Sequence, residues 1–169
     1  MATRSFIGVV VNPQDKGKFI EPNIVLLGKG ISSELNEPEF HRTTIENTTE
    51  VIRIYHHWDG YPEGVGETLL SEFNTYEKAL NLMSFGDASS INGVDATFYN
   101  SWRAGEDWDY TKPKQFETVQ EFESKSNEEY IYLFKDGNGL LRIIMQMIQS
   151  GKNLQRYLNK AFILTHIVF

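Results

Sequence analysis

Val51-Ile-Arg-Ile-Tyr-His-His-Trp58 constrains the fold more than any other stretch of this chain. β-Branched and aromatic residues alternate with polar ones, as in a strand whose two faces meet different surroundings. Alternation sets Val51, Arg53, Tyr55 and His57 on one face, and Ile52, Ile54, His56 and Trp58 on the other. Asp59-Gly60-Tyr61-Pro62 then supplies turn chemistry. Val65, Leu69, Leu70 and Phe73 share one face of a helix expected over about 65–73. Gly64 and Gly66 make the entry to that helix a backbone that another group can approach closely. A junction of this kind fixes side chains on a scaffold while leaving them within reach of solvent.

Phe6 to Val11 reads as a buried strand stopped by Asn12-Pro13. Residues 12–49 read as a loop-rich excursion that can contain a hairpin, with a strand-like run at Ile24 to Leu27 and an edge strand and turn at Thr43-Thr44 and Thr48-Thr49. Asn74-Thr75 can cap a second helix carrying Tyr76, Ala79, Leu80 and Met83, with Gly86 as its C′ residue. Asp87 to Gly93 reads as a polar turn region, Val94 to Trp102 as a strand, and Thr118 to Glu123 as a short helix. Tyr130 to Phe134 is a strand turned by Asp136-Gly137-Asn138-Gly139 into Leu140 to Met145. A helix near 151–160 and a strand from Ala161 to Phe169 end the chain. The expected architecture is α+β, a mainly antiparallel sheet with two or three helices packed on it. It forms a single domain over 1–169, with a C-terminal helix–strand extension at about 146–169.

A length of 169 residues is enough to bury one sizeable core. The 16 basic residues against 23 acidic ones leave a net charge of −7. That argues against direct nucleic-acid binding, which needs a concentrated positive face. The acids are dispersed, so solubility accounts for them as well as mimicry of a nucleic acid does. The chain has no cysteine, hence neither disulfides nor thiolate chemistry, and a reducing cytoplasm is the expected location. No apolar run reaches the roughly 20 residues that span a bilayer, and Met1 to Ser5 lacks the apolar core of a signal peptide.

If the strand continues through Asp59, His57 and Asp59 share a face. An imidazole beside a carboxylate suits a general base with its orienter, or two metal ligands. A metal centre needs a further ligand, and His41 and His166 stand in no ligand spacing, so no metal and no cofactor are expected. The plainer alternative makes Trp58 a core residue, Asp59 a turn cap and His57 a surface hydrogen-bonder. Gly60, Gly64 and Gly66 invite a phosphate-cradle reading, but no lysine follows and Glu63 and Glu67 repel anions. Asp87, Ser89 and Ser90 form no nucleophile elbow. Trp102-Arg103-Ala104-Gly105-Glu106-Asp107-Trp108 is a second aromatic and charged stretch, suited to a binding rim because Trp and Arg dominate interface energetics.

The opening Met1-Ala-Thr-Arg-Ser-Phe-Ile-Gly8 and the block Ile54-Tyr-His-His-Trp-Asp-Gly-Tyr-Pro-Glu-Gly-Val-Gly-Glu-Thr-Leu-Leu70 resemble a family of small uncharacterised phage and prophage proteins. Gly86-Asp-Ala-Ser-Ser90 and Glu129-Tyr-Ile-Tyr-Leu-Phe134 resemble later blocks of the same family, in the same order. The chain departs from that pattern in its longer 12–49 region, and in lacking a basic segment at 99–110. The resemblance implies a mobile-element origin and a host-cell cytoplasm, and supplies no activity. The first expectation is therefore an accessory binding protein, of the counter-defence kind, with Trp58, Tyr61, Trp102, Arg103 and Trp108 in contact and Gly64 and Gly66 allowing close approach. Its partner is a host protein or a small nucleotide-like ligand. The alternatives are a small phosphodiesterase-like hydrolase using His57 and Asp59, and a structural or assembly component that self-associates.

Overall fold

A computed structural model describes residues 2–27, 40–92, 95–100, 106–137 and 140–147. The strands are β1 (Ser5–Val10), β2 (Phe19–Ile20), β3 (Thr43–Thr44), β4 (Val51–His56), β5 (Ala88–Asn92), β6 (Asp95–Phe98), β7 (Lys114–Phe116), β8 (Tyr130–Gly137) and β9 (Leu140–Met147). The helices are α1 (Glu67–Glu72), α2 (Tyr76–Ser84), α3 (Trp108–Thr111) and α4 (Val119–Ser124). The fold is α+β. One mixed sheet runs β6-β5-β4-β1-β8-β9, with β7 paired to the start of β4, and β2-β3 form a separate ribbon. The β1–β8 and β4–β5 pairings are parallel and the others antiparallel. None of the described helices is long and apolar enough to cross a membrane.

β1 and β4 form the sheet's centre, and their register sorts every side chain by face. Ile7, Val9, Ile52, Ile54, Tyr132 and Phe134 are buried beneath Leu69 of α1 and Ala79, Leu82 and Met83 of α2. The opposite face carries a smaller core of Val51, Phe116, Phe122, Ile131 and Leu133. A Cβ on Gly8 would stand 2.9 Å from the Phe122 ring, so the glycine lets α4 lie directly on β1. Arg53 clamps the end of α4: its guanidinium lies between the Phe6 and Phe116 rings and donates to the Lys125 carbonyl at 2.8 Å. A cation on the last carbonyls of a helix is favourably placed against the dipole.

Local signals explain most boundaries. Thr75 Oγ1 accepts the Lys78 N–H at 3.2 Å, and α2 exits through Gly86 at φ +79. Thr118 caps α4 by accepting the Glu121 N–H at 3.0 Å. Three expectations are corrected. Ile24–Leu27 is a 3₁₀ turn rather than a strand, because the Asn23 side chain and carbonyl capture the Val25 and Leu26 N–H groups. The region 87–93 contains β5 rather than only a turn, held by β6 and by the extension of β4. Besides the expected short helix, found as α4, residues 106–118 hold α3 and β7, for which no element was expected. The expected helix near 151–160 and the strand 161–169 lie outside the described residues.

Candidate functional site

β4 stops at His56, and the chain leaves the sheet through Asp59 at φ +57. That left-handed residue breaks the alternation that would have put His57 and Asp59 on one face. The turn that follows is tied at almost every peptide. Gly60 donates to the Thr3 carbonyl at 2.7 Å, and its own carbonyl accepts Tyr132 Oη at 2.8 Å. The Asp59 carbonyl accepts the Val65 N–H at 2.8 Å, and the Tyr61 carbonyl accepts the Gly64 N–H at 3.0 Å. Pro62–Gly66 is a wide turn leading into α1, kinked at Gly64 (φ −96, ψ −105), with Pro62, Val65 and Gly66 buried.

The two adjacent histidines take opposite roles. His56 is buried on the helix-covered face. Its Nε2 accepts the Ile91 N–H at 3.2 Å, which puts the ring proton on Nδ1, 3.1 Å from Ser5 Oγ. Burial, and to a smaller extent the neighbouring His57, lowers its pKa to about 3. His56 is thus a neutral strut joining β1, β4 and β5.

His57 lies on the other face, half-buried, with Nδ1 2.7 Å from Tyr55 Oη. Burial pushes the Tyr55 phenol up, so at neutral pH it is protonated and able to donate. Trp58 meets the His57 ring edge-on at 4.8 Å and is 45% exposed; Tyr61 is 37% exposed. Trp58 therefore leaves the core that strict alternation assigns it, because the strand ends two residues earlier. Among the described residues His57 bonds to Tyr55 and not to Asp59, whose one backbone bond belongs to the turn.

The remaining residues singled out in the sequence separate. Gly64 and Gly66 sit inside the turn, Gly64 against the Asp59 carbonyl and Gly66 against the Tyr132 ring. Trp108 starts α3 and stacks on His41 at 4.7 Å, with its indole edge over Gly86. Trp102 and Arg103 lie outside the described residues. Among the described residues, no group of three or more His, Cys, Asp or Glu is placed to hold a metal.

Asp87 is a residue that sequence reasoning passed over as part of a helix exit. Its Oδ1 accepts the Tyr55 N–H at 2.8 Å, its N–H donates to the Thr111 carbonyl, and its carbonyl accepts the Tyr99 N–H. Burial pushes the carboxyl up to about 6, against the opposing pull of the Tyr55 bond, Lys114 and Arg53. The sequence signal there was only that of a turn aspartate after a C′ glycine; the bonds to Tyr55 and Thr111 come from the tertiary fold. No family model, curated protein or solved structure matches the chain.

Proposed function

We propose that the chain is a binding protein of the phage accessory type, engaging a host protein through a rim made by Trp58 and Tyr61. One observation carries this reading. Two large aromatic side chains stand exposed on a turn whose backbone is locked by hydrogen bonds to Thr3 ahead of β1, to Tyr132 of β8 and to itself. Exposed Trp and Tyr on a rigid support combine a large contact area with little ordering cost on binding. Neither ring lines a described groove, which suits a protein surface better than a small molecule, and the phage-like blocks favour a host partner.

The test is quantitative capture from host cells with the parent chain and the Trp58→Ala/Tyr61→Ala variant. A partner held by the parent should fall at least about tenfold with the variant, while its melting temperature stays within a few degrees. Equal recovery of every captured protein by both chains would sink the reading.

The Tyr55–His57 contact favours a second reading, a hydrolase in which Tyr55 Oη accepts from His57 Nδ1–H, so that Tyr55 rather than Asp59 orients the ring and leaves Nε2 free as the base. His57→Ala separates the two. In the hydrolase reading it abolishes phosphodiester turnover; in the first reading partner capture survives it.

A further inference from the structure

A groove of about 440 Å³ opens between the strand-flanking residues Arg42 to Glu46 and the segment joining α3 to β7. That volume lies within the usual range for small-ligand sites, about 300–1,000 Å³. Its walls combine charge and an aromatic ring: Arg42, Lys112 and Lys114 face one carboxylate, Glu46, and Trp108 lines the same space. The groove's own lining thus carries three cations and one carboxylate in a chain of net charge −7.

The floor is rigid. Gln115 donates from Nε2 to the Thr44 carbonyl at 2.8 Å, and its Oε1 accepts from the Glu46 N–H at 3.0 Å and Thr49 Oγ1 at 2.6 Å. This one side chain staples β7 to the opposite wall. The indole is equally fixed, since His41 stacks nearly parallel on it (13° between planes) and Gly86 accommodates its edge. Two of the cations have partners, Arg42 with Glu21 at 2.9 Å and Lys112 with Asp109 at 3.4 Å. Both pairs are solvent-exposed, and exposed pairs hold so weakly that the cations can turn to a better anion.

We propose that this groove binds a small anionic heteroaromatic ligand of the nucleoside monophosphate class, with Trp108 against the ring and Lys112, Lys114 and Arg42 around the phosphate. His41 covers one face of the indole, so the nucleobase rests against the other; any base can do so, because every base has a π-face. A phosphate needs the clustered cations, which a neutral ring does not. A long polyanion is disfavoured by the acidity of the chain as a whole. The groove shares no residue with the Trp58–Tyr61 rim, so each proposal stands or falls without the other.

The test is isothermal titration of the full chain with the four nucleoside 5′-monophosphates, with adenosine, and with inorganic phosphate. At least one monophosphate should bind at least about tenfold more tightly than adenosine or phosphate alone. The Lys112→Glu/Lys114→Glu variant, altered only at exposed positions, should weaken that binding at least about tenfold with a melting temperature within a few degrees of the parent's. Trp108→Phe should weaken it several-fold, and Trp58→Ala should leave it as it was. Absence of saturable heat with every monophosphate up to about 1 mM would overturn the proposal. So would phosphate binding as tightly as the nucleotide, or affinity untouched by the double lysine variant.

Discussion

Gly64→Ala is expected to remove about 3 kcal/mol of stability, whereas Gly66→Ala two residues later stays within about 1 kcal/mol. A Cβ on Gly64 would be driven into the Asp59 carbonyl oxygen. That oxygen cannot retreat, because it accepts the Val65 N–H at 2.8 Å and belongs to a residue already at φ +57. Relief therefore requires breaking the turn. Gly66 is different: its backbone is already helical, and a Cβ there would stand 3.3 Å from the Tyr132 ring. The helix preference of alanine offsets that tight contact. For a chain of this size the Gly64 loss corresponds to a melting temperature lower by roughly 6–12 °C. Equal melting temperatures for the two variants would show that the turn is not locked.

Acid should reveal an opposition between His56 and Asp87. The folded pKa of His56 is lowered to about 3, so between that value and its ordinary value near 6.5 the unfolded chain carries the extra proton. Its contribution is complete above about 6.5 and is lost as pH falls towards 3. Asp87 has the reverse sign. Its folded pKa is raised to about 6, so between the ordinary carboxylate value near 4 and about 6 the folded chain holds the extra proton. Its contribution is complete below about 4 and is lost as pH rises through 6. Each group acts with a slope of about 1.4 kcal/mol per pH unit, and between pH 4 and 6 the two slopes cancel.

Asp87→Asn keeps an acceptor for the Tyr55 N–H and removes one of the two slopes. Relative to the parent, this variant should lose roughly 2–3 kcal/mol more on going from pH 6 to pH 4. His56→Gln should show the opposite relative slope, holding its stability better than the parent over the same interval. Urea unfolding at several pH values measures both. Parallel stability curves for all three chains would contradict the burial assigned to these groups.

Much of this arrangement was legible in Val51 to Trp58. Alternation separates Ile52, Ile54 and His56 from Arg53, Tyr55 and His57, and the strand keeps that division. The helix starting after Thr75 and its glycine exit followed from capping chemistry alone. Where the reading failed, tertiary contacts outweighed local preference. Ala88-Ser-Ser-Ile-Asn92 has little strand character, yet β6, the extension of β4 and the His56 ring hold it extended. Pairing His57 with Asp59 required the strand to run three residues further than it does. The groove around Trp108 joins residues near 42–46 to residues near 108–115, a closeness produced by β7 pairing on β4 and by Gln115. No local pattern announces a contact of that range.

The division of the His-His-Trp block into buried strut and exposed rim is tested most directly by urea unfolding of His56→Ala beside Trp58→Ala. Loss of the His56 ring leaves a cavity and orphans the buried Ile91 N–H, so about 3 kcal/mol should disappear. Trp58→Ala should remain within about 1 kcal/mol of the parent, because the indole contributes surface rather than core. A Trp58→Ala loss as large as that of His56→Ala would make the indole part of the scaffold and remove the ground for a recognition rim.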